Sequence, residues 1–208
     1  MKISSSSFPD GGVIPSRYAF ARHDPKTTVT LSDNVNPHLH WSDVPAGTRS
    51  FALICYDPDA PSVRDDANQP DREISPDLRR TDFFHWVVVD IPADVTEIQE
   101  GEFSEGVVAG GKRSGHGPHG TRQGLNDYTG WFEGDPDMDG RYQGYDGCAP
   151  PWNDSIPHRY RFTVYALDVD GVDVSGEFTG PEVREAIAGH VLAEASWEGT
   201  YTQNPRLL

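Results

Sequence analysis

The stretch "SFALICYDPDAP", residues 50–61, joins a nearly continuous apolar run to two carboxylates spaced by prolines. Its first eight residues, 50–57, predict a strand covered on both faces, because a strand with one solvated face would alternate apolar and polar residues. The prolines that follow restrict the backbone at the strand exit, so Asp57 can be held in one direction. The stretch therefore predicts either a plain turn or the rim of a site that needs a fixed acid.

Three further stretches predict strands, of which 28–33 alternates and 83–92 is again a nearly continuous apolar run. They are "TVTLSD" (28–33), "FFHWVVVDIP" (83–92) and "HRYRFTVYALDV" (158–169), all rich in β-branched or aromatic residues. The chain also has 21 glycines and 17 prolines, a composition typical of many turns. Together these features predict a mainly β fold in which sheets pack face to face.

One helix is predicted, over residues 179–199. Thr179 and Glu182 form a capping-box pattern, and apolar residues then recur every four positions. Two long stretches, 62–82 and 100–151, carry little strand pattern, and loops of this length are usually functional or mobile. Strong core strands flank both of them, so neither reads as a linker, and residues 1–208 are expected to form a single domain.

The composition restricts the partners of the protein. The formal net charge is −16 with only three lysines, so the surface repels nucleic acid and anionic lipid. Abundant aspartate with scarce lysine suits a high-salt cytoplasm, which suggests a halophilic source. No apolar segment resembles a signal peptide or a membrane span, so a soluble, cytoplasmic protein is expected. The two cysteines, Cys55 and Cys148, are expected to be free thiols rather than a disulfide.

A candidate site is formed by polar residues at the ends of predicted strands. Asp57 closes one strand, His85 interrupts the apolar run of another, and His158 opens a third after a Gly/Pro loop. Each of them is more often a structural polar group when taken singly. Together, two imidazoles, one acid and the loop amides around Gly147 suit a small anion. Asp57 is expected to orient one imidazole or favour its charged form, while the histidines donate N–H groups to phosphate oxygens.

At these residues the chain resembles the phosphatidylethanolamine-binding protein family, in its prokaryotic Raf-kinase-inhibitor-like branch. The resemblance is carried by "DPDAP", "HWVVVDIP" and "GYDGCAPP…HRYRFTVYALD", with "QGLNDYTG" and "GHVLAEASWEGTYTQ" in further agreement. It implies two antiparallel sheets in a Greek-key-like sandwich with a few short helices, one of them near the C-terminus. It also implies a pocket for phosphate, acetate or a phospholipid headgroup. The positions implied to bind ligand are Asp57, Asp59, His85, Gly147, Cys148, Ala149, Pro150, His158 and Tyr160.

The chain departs from the family pattern at several points. "GYDGCAPP" places the carboxylate of Asp146 where a glycine is usual, and this charge is expected to weaken anion binding. His38 and His40 also stand where small or apolar residues are usual. The loop 62–82 and the loop that precedes Gly144 look long and are expected to cover or narrow the entrance.

Two weaker patterns concern metal ions. Residues 135–146 place aspartates at the first, third, fifth and twelfth positions of a calcium-loop pattern, but no helices flank them. An acidic solvated turn is the favoured interpretation. His116 and His119 in "GHGPHG" lack a third nearby ligand, so a flexible glycine loop is favoured there. No metal or cofactor site is therefore predicted, and no G-x-S-x-G pattern supports a serine hydrolase.

The favoured function is a binding module without catalysis. It would hold a small anion or a phosphorylated ligand and, as the resemblance implies, regulate a protein partner such as a kinase or protease. The alternative is a metal-dependent hydrolase in which histidines hold an ion that activates water, with candidates His38, His40, His85 and His158. A third possibility is a scaffold whose pocket binds nothing.

Overall fold

The computed structural model describes residues 1–208 and is mainly β, as predicted. Two short helices and two single turns of 3₁₀-helix, at Ser16–Tyr18 and Pro118–Gly120, accompany the strands. The strands and helices are β1 (Lys2–Ser4), β2 (Gly12–Val13), β3 (Ala21–Asp24), β4 (Thr28–Leu31), β5 (Leu39–Ser42), β6 (Ser50–Pro61), β7 (Arg80–Pro92), β8 (Glu97–Ile98), β9 (Arg122–Gln123), α1 (Tyr128–Trp131), β10 (His158–Leu167), α2 (Gly180–Ala186) and β11 (Val191–Tyr201).

The strands form one large sheet and two small ones. The large sheet has the order β2-β11-β10-β6-β7-β9, and its pairs are antiparallel except that β2 runs parallel to β11. A second sheet has the order β1-β5-β8, and β3 pairs with β4 in a separate hairpin. The mainly β class is confirmed, while the arrangement adds a third, two-stranded sheet and one parallel pair to the expected two antiparallel sheets.

The central strands of the large sheet are covered on both faces, which explains their continuous apolar runs. Along β6, Phe51, Leu53 and Cys55 point into one core, which includes Leu39 and Trp41 of the second sheet. The alternate residues Ala52 and Ile54 point into another core on the opposite face. Because consecutive side chains of a strand point to opposite faces, every position of β6 between 51 and 55 is apolar.

The predicted helix over residues 179–199 is wrong beyond its first two turns. The capping box of Thr179 and Glu182 is present, but α2 ends at Ala186 and the chain continues into β11. Gly189 lies between them with φ of +87°, a conformation that a helix interior does not allow. β11 pairs with β10 along nearly its whole length. This long-range pairing outweighs the local helical pattern.

Two further expectations concern the cysteines and membrane spans. Cys55 and Cys148 are both buried and both free, which confirms the expected thiols. No helix in the protein has the length and apolar character needed to cross a bilayer.

Candidate functional site

The three central strands bring the predicted acid and both histidines to one end of the large sheet. β6 lies between β10 and β7, and it is antiparallel to both. The end of β6 with Asp57 therefore lies beside the start of β10, which carries His158 and Tyr160. On the other side, Asp57 is in register with Phe83, two residues before His85 on β7.

These side chains line a small cavity that is partly open to solvent. Six of the nine positions implied to bind ligand contribute to its wall: Asp57, His85, Ala149, Pro150, His158 and Tyr160. The remaining wall is formed by Ala60, Pro61, Phe83, Tyr128, Trp131 and Pro151. The cavity wall is thus mostly apolar, with a few polar groups among its residues.

His158 is held between two carboxylates. Its Nδ1 lies 2.6 Å from Oδ2 of Asp57, and its Nε2 lies 3.0 Å from Oδ2 of Asp154. Burial by itself lowers the pKa of His158, but the two carboxylates outweigh burial and raise its pKa to about 9. His158 is therefore a buried imidazolium, the state that Asp57 was expected to favour.

The same geometry corrects the expected role of His158 as a ligand donor. Both of its N–H groups point to carboxylates of the protein, so neither is left for a bound anion. Asp154 in turn pairs with Arg80, whose two terminal nitrogens lie 2.5 and 3.0 Å from the carboxylate oxygens. Two carboxylates and two cations thus form a chain with balanced charge beside the cavity.

His85 is oriented differently from His158. Its Nδ1 lies 2.8 Å from the backbone carbonyl oxygen of Asp146, while Nε2 makes no hydrogen bond within the protein. The ring is only 3% exposed, and burial lowers its pKa more than the nearby carboxylate of Asp57 raises it. His85 is therefore a neutral ring that lines the cavity with a free Nε2.

Tyr160 contributes the second free polar group. Its hydroxyl oxygen is buried and has no hydrogen-bond partner, although its ring lines the cavity. Burial, followed by the charge of Asp57, raises the pKa of Tyr160 well above its usual value, so the hydroxyl stays protonated. A buried hydroxyl without a partner is costly unless something binds to it.

Three of the nine implied positions lie outside the cavity wall. Asp59 points away from it and accepts hydrogen bonds from the guanidinium and backbone of Arg159 at 2.8–2.9 Å. The amide of Gly147 donates to Oδ1 of Asn34, so it is not free to complete an anion shell. Cys148 packs in the main core with its side chain 1% exposed. The amide of the next residue, Ala149, donates no hydrogen bond within the protein.

We expect that Gly147→Ala will lower the free energy of unfolding by about 1 to 3 kcal/mol, as overpacking of a core does. A Cβ atom at this position would overlap the backbone carbonyl oxygen of Tyr18, which cannot move without shifting the chain. Urea denaturation measures the change. Gly130→Ala is the matched control, because its added carbon meets nothing closer than 4.0 Å. Equal stability of the two variants would contradict the prediction.

Asp146 does not add a free charge to the site, contrary to expectation. Its carboxylate is 1% exposed and lies 2.7 Å from the ammonium group of Lys112, with further hydrogen bonds from Asn34 and Asn126. Burial raises the pKa of Asp146, and Lys112 opposes that rise. Asp146 contributes to the cavity through its backbone carbonyl, which accepts a hydrogen bond from Nδ1 of His85 and so orients that ring.

The two sequence patterns that involve metal ligands, both judged weak, have no ligand set in the structure. Asp135 accepts hydrogen bonds from the amides of Asp137 and Met138, which is a capped acidic turn, while Asp146 is buried away with Lys112. His38 pairs with Glu97 on the second sheet and takes no part in the cavity. Nowhere in the protein do three histidine, cysteine or carboxylate side chains form a group suited to a metal ion.

The long loop 62–82 contributes no residue to the cavity wall but contacts one of the wall residues. The guanidinium of Arg64 stacks 4.8 Å from the ring centre of Trp131, and its Nη1 donates to the carbonyl of Gly130 at 2.9 Å. The backbone of Asn68 in the same loop donates to the side chain of Asn153. The loop therefore braces Trp131, which forms part of the cavity wall.

Sequence reasoning missed several residues of the site. Tyr128 lies in "QGLNDYTG", a stretch used for the resemblance but given no role, and Trp131 follows that stretch directly. Phe83 could have been predicted as a wall residue, because it is an aromatic residue two positions before His85 and lies on the same face of the strand. No sequence pattern indicated Asp154 as a site residue. It lies in the loop before β10, and the sequence does not show the path of that loop.

Comparisons with known proteins agree on one family. The family model described as "Phosphatidylethanolamine-binding protein" matches residues 4–202. The chain is 37% identical to the UPF0098 protein YbhB of Escherichia coli over 94% of this chain and 96% of that protein. It is 34% identical to a UPF0098 protein of Methanothermobacter thermautotrophicus, over 97% of this chain and 98% of that one.

Solved structures give the same result. The crystal structure of Escherichia coli YbcL, described as a new member of the mammalian PEBP family, superposes with a TM-score of 0.68 at 28% identity. That match covers 97% of both chains. A Chlamydia trachomatis homologue, CT736, superposes with a TM-score of 0.62 at 28% identity, over 96% of this chain and 95% of that one.

Proposed function

Because the chain belongs to the phosphatidylethanolamine-binding protein family, we propose that it binds a small oxyanion, a phosphate or a carboxylate, in the cavity beside Asp57. The observation that carries this proposal is the buried hydroxyl of Tyr160, which has no partner in the protein. Tyr160 lines the same cavity as His85, whose Nε2 is also free. Two free polar groups in the wall of a mostly apolar cavity are the arrangement expected of a small-ligand site.

Local charge permits an anion here despite the net charge of −16. Asp57, the carboxylate in the cavity wall, and Asp154, on the other side of His158, are balanced by the imidazolium of His158 and by Arg80. More distant charges act through solvent and are screened within about 8 Å at physiological ionic strength. Donors within hydrogen-bond distance therefore decide whether the anion binds.

A regulatory role toward a kinase or protease would use the same cavity. A phosphorylated side chain of a partner could place its phosphate at Tyr160 while its backbone contacts the rim. This part of the proposal rests on the family resemblance. The hydrolase alternative has no metal-ligand group to support it.

We expect inorganic phosphate to bind, with an affinity that falls about tenfold or more in Tyr160→Phe, because a hydrogen bond to a charged group contributes about 1.5 to 3 kcal/mol. Isothermal titration calorimetry at pH 6 measures both affinities. Stability should not fall in this variant, since the lost hydroxyl has no partner in the protein.

Tyr145→Phe is the matched control. The hydroxyl of Tyr145 is buried and donates to the carbonyl of Tyr18, away from the cavity. That variant should lose about 1 kcal/mol of stability and keep its phosphate affinity. If the wild-type protein binds neither phosphate nor acetate, or if Tyr160→Phe binds phosphate as well as the wild type, the proposed site is wrong.

A further inference from the structure

The hydrogen bond at Nδ1 determines which nitrogen of His85 carries the proton. A backbone carbonyl can only accept a hydrogen bond, so Nδ1, at 2.8 Å from the carbonyl oxygen of Asp146, must be the donor. In the neutral ring the other nitrogen, Nε2, then holds a lone pair. His85 thus presents an acceptor to the cavity, and an acceptor repels the oxygen of an anion.

The surroundings of His85 keep the free ring neutral. The groups that face it come from three elements and two loops: Asp57 on β6, His158 and Tyr160 on β10, Tyr128 on α1, and, from the loops, Asp146 with its partner Lys112. The charges of Asp57 and Asp146 are each already paired with a cation, and the rings of Tyr128 and Tyr160 pack in T-shaped contact with the His85 ring. Burial therefore outweighs the pull of Asp57 and lowers the pKa of His85.

We propose that this cavity takes up its oxyanion together with one proton from solvent, which binds at Nε2 of His85 and turns that nitrogen from an acceptor into a donor. The proposal rests on the proposed anion site. In the complex, the Nε2–H group of His85 and the hydroxyl of Tyr160 both donate to the anion. No covalent bond to the ligand forms or breaks, and the proton returns to solvent when the anion leaves.

The coupling makes anion affinity depend on pH with a known sign. The unperturbed pKa of histidine is 6.5, and that of His85 is lower in the free protein. Above pH 6.5, affinity for an anion of constant charge should therefore fall about tenfold for each pH unit, and it should level off at lower pH. His158 does not interfere, because its pKa of about 9 keeps it charged between pH 5.5 and 8.

Sulfate is the appropriate probe, because it keeps its charge throughout this range. Calorimetry at constant ionic strength, from pH 5.5 to 8, should show the tenfold decrease in affinity per unit above pH 6.5. At pH 7, titrations in two buffers with different ionisation enthalpies should show the uptake of about one proton per sulfate bound. This second measurement uses the unmodified protein, so it does not depend on the folding of any variant.

His85→Gln is the matched variant. Its side-chain amide offers an N–H donor that does not titrate, so sulfate affinity should become independent of pH between 6.5 and 8, and proton uptake should disappear. Circular dichroism and thermal unfolding check that the variant is folded.

The outcomes separate this inference from the proposed function. If sulfate binds with an affinity that does not change with pH and without proton uptake, the proton coupling is wrong while the anion site stands. If phosphate binds but sulfate does not bind at any pH, the phosphate itself carries the proton, and the assignment of that proton to His85 is wrong. If neither anion binds even at pH 5.5, the proposed function itself fails.

Discussion

Replacing Asp57 by asparagine is expected to lower the free energy of unfolding by about 3 kcal/mol, the lower end of the range for breaking a buried ion pair. Asp57 lies 2.6 Å from Nδ1 of His158, and both side chains are less than 5% exposed. The neutral amide would leave a buried imidazolium with one of its two carboxylates missing. The effect stays at the lower end because Asp154 still pairs with the other ring nitrogen. Urea denaturation at pH 6.5 measures it.

Asp59→Asn is the matched control, two residues away in the same motif. Asp59 also pairs with a cation, Arg159, but the side chain of that arginine is 47% exposed. Solvent screens such a pair, so its loss should cost about 1 kcal/mol or less. Phosphate affinity should change little in this variant, because Asp59 does not line the cavity. Equal destabilisation by the two substitutions would contradict the assignment of His158 as a buried imidazolium.

Between pH 6.5 and 8.5 the protein is expected to lose about 2 kcal/mol of stability, because His158 binds its proton more tightly in the folded state. The pKa of His158 rises from 6.5 to about 9 on folding. A raised pKa stabilises the folded protein fully below pH 6.5, and this stabilisation disappears as pH rises through about 9. Denaturation at a series of pH values measures the loss.

The variant His158→Gln isolates this contribution. It should be less stable than the wild type at pH 6.5, and its stability should not decrease over the same pH range. His85 cannot imitate the effect, because its lowered pKa changes stability only below pH 6.5, and there with the opposite sign. A wild-type stability that is constant from pH 6.5 to 8.5 would refute the charged state of His158.

Much of the fold could be predicted because the central strands are covered on both faces. Residues 50–57 and 83–92 are nearly continuous apolar runs, and residues 158–169 are rich in β-branched and aromatic residues; the structure places strands over all three. The C-terminal segment could not be read in this way. Val183 and Ile187 pack in a core as the helical pattern indicates, but Val191 already lies in β11 and is 37% exposed. Pairing with β10 decides that segment, and a local pattern does not contain this information.

For the candidate site, the residue types were visible in the sequence, but their partners were not. Two imidazoles and an acid at strand ends indicated a polar cavity, and the aspartate–histidine pair was expected. The sequence did not show which histidine would have both ring nitrogens bound by carboxylates and which would keep one nitrogen free. Asp154 decides this for His158, and the backbone carbonyl of Asp146 decides it for His85. Both aspartates lie in a long loop whose path has no sequence periodicity.

By itself, the sequence determined the mainly β class, the central strands and the identity of the polar groups, because burial on both faces of a strand leaves a direct mark on composition. Only the tertiary structure decided the state of each group. His158 is an imidazolium with both N–H groups bound to carboxylates, and His85 is a neutral ring with a free Nε2, although both histidines lie near Asp57. The physical reason is that the protonation of a buried group depends on the atoms within about 3 Å of it, and in this site loops distant in the sequence supply those atoms.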